Sequence, residues 1–315
     1  MFDVLRNILE QGLLFSIVAI AVYITYKILD FPDMSVDGTF PMGAAISAAL
    51  LVQGVNPWIS IIAAAIGGAI AGAITGILHV KFKIDNLMAG ILVMIGLYSI
   101  NLRIMGKANV PLFNAPNVFN SKILNMDIIS PKMKYMVIII PILVIVKILF
   151  DLYFKTKSGF LLRAVGDNEQ VVSSIGVNKD LVKILGLVIS NALVGMAGAL
   201  TAQYQGFSDV GMGTGTVVMA LAAVIIGSSL FERVSFIKAT TLSIFGAIIY
   251  KGAIALVLKY GSIIGLTAND IKLMTAVIVV IALCSSNGIF KFKKKKLVEG
   301  GAQDDAKRKT TIQSI

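Results

Sequence analysis

Apolar residues run along this chain in long blocks rather than in the short amphipathic periods of a soluble protein. Blocks near 12–29, 40–54, 57–79, 86–104, 135–153, 181–203, 212–229, 236–258 and 271–289 approach or exceed the roughly 20 residues that carry a helix across a bilayer. Within lipid the backbone must satisfy its own hydrogen bonds, so each block predicts a helix. The expected fold is an all-α polytopic membrane protein with about nine transmembrane helices. Two blocks differ from the rest. Residues 40–54 and 212–229 follow the Asp- and Gly-containing stretches Asp33-Met34-Ser35-Val36-Asp37-Gly38-Thr39 and Asp209-Val210-Gly211-Met212-Gly213-Thr214-Gly215. Such stretches predict broken helices, which a membrane tolerates where they face protein or a water-filled cavity. They lie about 172 residues apart with five crossings between them, an odd number, so the pattern predicts an inverted repeat.

Between the fifth and sixth blocks lies a polar island, residues 159–180. Asp167 suits a helix N-cap, Gln170 three residues on completes a capping box, and Gly176 can close the helix in a left-handed turn. The predicted helix has about two turns, roughly 12 Å, too short to cross a bilayer. It is built to touch something outside the membrane.

Charge sets the orientation. Lys291 and Lys293 to Lys296 crowd together after the last block, and basic residues beside a span stay cytoplasmic and favour anionic lipid. Counting back places Glu232-Arg233 inside, 204–211 outside and the island inside, consistent with Lys155, Lys157, Arg163, Lys179 and Lys183. Residues 105–134 fall outside and the turn with Lys81 and Lys83 inside. Parity puts the N-terminus outside and residues 30–39 inside, although that loop has three aspartates and no Lys or Arg; a re-entrant 40–54 would move it outside. The first block has no basic flank or Ala-x-Ala site before it, so it is expected to stay as a membrane anchor. Residues 1–290 form one transmembrane domain with a cytoplasmic loop at 155–180, and 291–315 a basic cytoplasmic tail expected to be disordered.

Composition narrows the chemistry. The chain is 57% hydrophobic and 14% charged, with mean hydropathy +0.88. Its net charge of +11 belongs to the membrane surface rather than to a nucleic acid. One histidine, His79, and one cysteine, Cys284, exclude a disulfide framework and argue against a Cys/His metal site. There is no Gly-x-x-x-x-Gly-Lys-Ser/Thr phosphate loop and no partnered nucleophile, so neither ATP binding by that route nor an enzyme is expected. The deepest ionisable residue is Lys251, with Lys147 nearer a span end and no Asp or Glu central in the longer spans. That argues against proton coupling. Lys251 either lines a pathway and meets an anionic group or extends its stem through lipid. Candidate pathway residues are Phe40, Ser99, Asn101, Asn191, Gln203, Met219 and Lys251. Gly68, Gly72 and Gly76, and likewise Asn191, Gly195 and Ala199, make small-residue grooves for packing within the chain or between subunits.

The island pattern Gly159-x-x-x-Arg163-Ala164-x-Gly166-x-Asn168 followed by Gly176 resembles the coupling-helix region of ABC importer permeases in the branched-chain amino acid and ribose class. Asp33-Met34-Ser35-Val36-Asp37-Gly38 resembles the Asp-Leu-Ser-Val-Gly element of that class, and the likeness runs from about residue 10 to 290. Tyr98-Ser99-Ile100-Asn101-Leu102-Arg103-Ile104-Met105-Gly106 and Ala202-Gln203-Tyr204-Gln205-Gly206-Phe207 are similar to the subgroup working with tryptophan/tyrosine-type binding proteins. The resemblance implies a permease in a bacterial cell membrane, paired with a second, identical permease subunit. An extracytoplasmic binding protein delivers a small solute, an amino acid with tryptophan favoured. A cytoplasmic ABC ATPase dimer holds the ATP and Mg, with no cofactor in this chain. Gly159, Arg163, Ala164, Gly166, Asp167, Asn168 and Gly176 are then the coupling residues. Val172 departs from the small residue expected on the docking helix. The competing class is an ion-coupled secondary transporter or channel.

Overall fold

The computed structural model describes residues 2–120, 134–231, 238–261 and 270–286. Every apolar block has become a helix. α1 (Phe2–Val22) continues through a π-helical turn, Tyr23–Ile28. Next come α2 (Val36–Val52), α3 (Pro57–Val80), α4 (Asn86–Met105) and α5 (Lys134–Tyr153). The island holds α6 (Lys157–Asp167) and α7 (Glu169–Ser174), and α8 (Lys179–Gln205), α9 (Thr216–Phe231), α10 (Ala239–Gly261) and α11 (Ile271–Ser286) complete the order. Seven helical stretches among the described residues are long and apolar enough to cross a membrane: Asp3–Ile28, Pro57–Val80, Asn86–Met105, Lys134–Tyr153, Lys179–Gln205, Val210–Leu230 and Ala239–Val257. α2 with 17 residues and α11 with 16 are shorter. The turn with Glu232-Arg233, most of 259–270 and the tail 291–315 lie outside the described residues.

Local signals set the helix ends. Asn56 caps α3, its side chain accepting from the Trp58 N–H at 2.9 Å, with Pro57 at the first helical position. Asp85 does the same for α4 through Leu87. A short antiparallel pair, β1 (Asn109–Pro111) with β2 (Phe207–Asp209), ties the chain after α4 to the chain after α8. No strand was expected from the hydropathy pattern, because three-residue strands carry no period to read.

The small-residue grooves pack within the chain, and they pack against each other. A Cβ on Gly68 or Gly72 of α3 would run into the carbonyls of Asn191 and Leu187 on α8, and one on Gly195 into the Ala64 carbonyl. α2 crosses the same helix at Gly43 on Gly195 and at Gly198 on the Phe40 carbonyl. Lipid supplies no hydrophobic force between helices, so this close backbone approach provides the packing energy.

Both expected breaks are present. Residues 29–35 leave the helix after the π-turn, and Asp33 lies against Asn191, midway along α8, so α2 begins well inside the bundle. Residues Val210–Gly213 form a 3-10 turn before α9. The two breaks meet. The Asp37 carboxylate at the start of α2 accepts from the Gly215 and Val217 N–H groups at the start of α9, both at 2.8 Å. It satisfies donors that a helix start inside a membrane would otherwise leave bare.

Candidate functional site

Three carboxylates lie within the bundle, none of them central in a longer span: Asp33 and Asp37 sit at the break before α2 and Glu10 near the start of α1. Asp33 accepts from the Ser35 N–H (2.9 Å), the Ser35 hydroxyl (2.6 Å) and the Asn191 amide (2.7 Å). Asp37 caps α9. Glu10 is 1% exposed, accepts from the Tyr204 hydroxyl at 2.8 Å and faces Arg6 Nε at 3.6 Å. Hydropathy alone starts the first span near residue 12, because Asp3, Arg6 and Glu10 precede it. These charges pair with one another at i,i+3 and i,i+4, so the helix runs on from Phe2. Buried carboxylates are therefore present. Each already has fixed partners, which argues against a proton relay.

The seven candidate pathway residues do not converge. Asn191 and Gln203 are fully engaged in structural bonds. Asn191 also donates to the Leu187 carbonyl at 3.1 Å, and Gln203 accepts from the Val118 N–H at 2.9 Å while donating to Ser47 and Ser60, each at 3.2 Å. Ser99 and Asn101 line a cleft of about 360 Å³ between α2, α4 and the turn before α9. Asn101 donates to the Gly38 carbonyl at 3.2 Å. Phe40, Met219 and Lys251 line a second cavity of about 110 Å³ between α1, α2, α8, α9 and α10. Lys251 points inward, its Nζ 4.6 Å above the Phe15 ring, so its stem does not extend through lipid. Phe15 and Tyr204 join this cavity without having been singled out in the sequence; as an aromatic within a long apolar run, Phe15 gave no signal.

The island is two helices rather than one. Thr156 caps α6 by accepting from the Gly159 N–H at 3.2 Å. Asp167 is the last residue of α6, and the N-cap of α7 falls to Asn168, whose extended backbone lets its side chain accept from Gln170 (2.9 Å) and Val171 (3.4 Å). The expected cap thus shifts by one residue. Gly176 has the left-handed φ of +76° anticipated for it. Gly159 and Gly166 are small because the membrane domain touches them: a Cβ would strike the Tyr153 carbonyl in one case and the Ile28 carbonyl at the π-turn in the other. Ala164 packs on the core nearby.

Val172 is wholly buried and packs inward, so it does not alter an outer docking surface. Two turns offer too few residues to fix the phase of a helix. Phe160, Val171 and Ile175, each more than half exposed, face outward instead. Arg163 is exposed, its guanidinium 4.8 Å over the Phe154 ring, beside Tyr23, Asp151 and Lys238. Glu169 pairs with Lys183 and Lys179, which hold its carboxyl below the ordinary value of 4.5.

Helices that begin inside an apolar bundle are a recurrent plan of solute transporters. Residues 4–284 match the family described as branched-chain amino acid transport system / permease component. The chain is 48% identical over 288 residues to the tyrosine transport system permease protein of Clostridioides difficile (strain R20291), covering 91% of this chain and 93% of the relative. It is 31% identical over 287 residues to an uncharacterized protein of Rickettsia prowazekii (strain Madrid E), covering 90% and 98%. Among solved structures, PsaBC from Streptococcus pneumoniae in complex with Fab shares the fold, with a TM-score of 0.52 at 14% identity over 88% of this chain and 90% of that one. The chain belongs to this permease family. It is the multi-pass membrane subunit of an ABC importer in a bacterial cell membrane, and not itself an enzyme.

Proposed function

We propose that this permease imports an aromatic amino acid, with tyrosine to be tested first and tryptophan next. The observation that carries the reading is 48% identity across 91% of the chain with a relative named for tyrosine transport. In this reading two copies form the pathway, a binding protein delivers the solute from outside, and an ATPase dimer with ATP and Mg grips the island. The docking surface is the exposed face of Phe160, Val171 and Ile175 together with Arg163. Gly159 and Gly166 seat α6 on Phe154 and the π-turn, so a push on the island reaches α1 directly. Asp167, Asn168 and Gly176 set the angle of α7.

The inverted repeat and nine crossings with the N-terminus outside belong to the same proposal. Their support is the pairing of helices: α3 packs on α8 as α10 packs on α1, and α2 touches α3 and α4 as α9 touches α10 and α11. The Asp37 link would join the two halves where they rock during alternating access.

The test is uptake of labelled tyrosine into liposomes holding the whole transporter with its binding protein. Uptake that requires ATP and the binding protein supports the reading. Uptake without ATP, driven by an imposed ion gradient, contradicts it.

A further inference from the structure

Lys251 is, among the described residues, a cation without a counter-charge. Among the described residues no carboxylate lies within ion-pair distance of its Nζ, and its contact is the face of Phe15 at 4.6 Å. Glu10, which precedes the cavity-lining Gln11, is already taken by Tyr204 and Arg6. Elsewhere in the bundle this chain binds its buried charges with several partners each, as at Asp33. An unpaired cation inside a membrane protein marks a place where an anion is received.

The cavity beneath it has two characters. Lys251, Thr216, Thr201 and Gln205 bring polar groups to its wall, and Phe40, Met212 and Met219 bring apolar ones. Its volume of about 110 Å³ is well below the roughly 300 Å³ at which whole-ligand sites begin. It therefore takes one end of a solute. Phe40 and Met219 stand on the two broken helices, so an occupant here touches both elements that alternating access would move.

We infer that Lys251 is a specificity-determining residue that receives the carboxylate of the transported amino acid, with the start of its side chain against Phe40 and Met219. This inference rests on the amino acid importer reading above and deepens it.

The experiment compares Lys251→Met and Lys251→Arg with the wild type in the complete reconstituted transporter. Uptake of tyrosine and of its decarboxylated amine, tyramine, is measured in each, along with ATPase retention. The expected result is at least a tenfold loss of tyrosine uptake in Lys251→Met with the ATPase retained, substantial recovery in Lys251→Arg, and a wild-type preference for tyrosine over tyramine that Lys251→Met removes. Equal tyrosine uptake by wild type and Lys251→Met overturns the inference. So does wild-type uptake that depends on chloride in the medium, which makes the occupant a free anion. If the wild type carries a different amino acid, the aromatic assignment fails. The same comparison, run on that solute and its decarboxylated amine, still decides the role of Lys251.

Discussion

The helix breaks at Asp33 and Asp37 and the cavity at Lys251 treat a charge within the bundle in opposite ways. At the breaks each carboxylate has fixed partners: Asp33 has three donors, and Asp37, at the wall of the cleft beside α4, holds two backbone amides 178 and 180 residues away. At the cavity the ammonium has an aromatic face and, among the described residues, no acid. A cation–π contact over phenylalanine returns about 1 kcal/mol, while a lysine at the centre of a membrane helix costs about 3 kcal/mol. The first arrangement stabilises a fixed geometry. The second stays incomplete until something negatively charged arrives. Charges that hold the fold together and charges that serve transport are thus separable by whether the chain itself completes them.

The comparison breaks most sharply if the two regions respond alike to mutation. Asp33→Ala strips a shared acceptor from Ser35 and Asn191 and leaves them buried, which should cost roughly 3 kcal/mol. A thermal unfolding scan of the purified chain in detergent should show its midpoint clearly lowered. Lys251→Met should leave that midpoint unchanged or raise it, because replacing a partly desolvated charge that has no acid partner among the described residues with an apolar side chain of similar length is neutral or stabilising. A lowered midpoint would place Lys251 with the structural charges.

Gly166→Val tests the island seat. The added side chain has no room against the Ile28 carbonyl, so α6 should lift from the π-turn. Transport should fall at least about tenfold while the bundle still inserts, read as uptake against expression in membranes.

The smallest effect belongs to Glu169, whose pairs with the exposed Lys179 and the largely buried Lys183 lie at the water-facing end of the bundle, where solvent screens them. Its carboxyl is depressed by those lysines, so the stabilisation is complete above its ordinary value of 4.5 and is lost as pH falls through the depressed one. The difference in unfolding midpoint between wild type and Glu169→Gln should therefore be constant above about pH 5 and shrink in acid.

Hydropathy made the helices readable, and the Asp/Gly stretches made the breaks readable, because both signals are local. The partners of the carboxylates were not readable. Asp33 meets Asn191 across 158 residues, and nothing near either one announces the other. The start of α1 was misplaced for a related reason: Arg6 and Glu10 look like solvent-facing charges until Tyr204, 194 residues from Glu10, supplies a bond. On the island, composition revealed a capped helix and Gly176, but not that the outward face consists of Phe160, Val171 and Ile175. The phase of so short a helix is set by what it packs on, here α8 and the π-turn.

The central claim is that the island passes the work of a partner ATPase into the membrane domain. The most direct measurement purifies the tagged chain with its ATPase from native membranes, as wild type and as Arg163→Glu, and assays ATP-dependent tyrosine uptake by each. The account predicts equal expression of the two chains, with the ATPase and the uptake both lost in Arg163→Glu. Full uptake and a retained ATPase in that variant would contradict it.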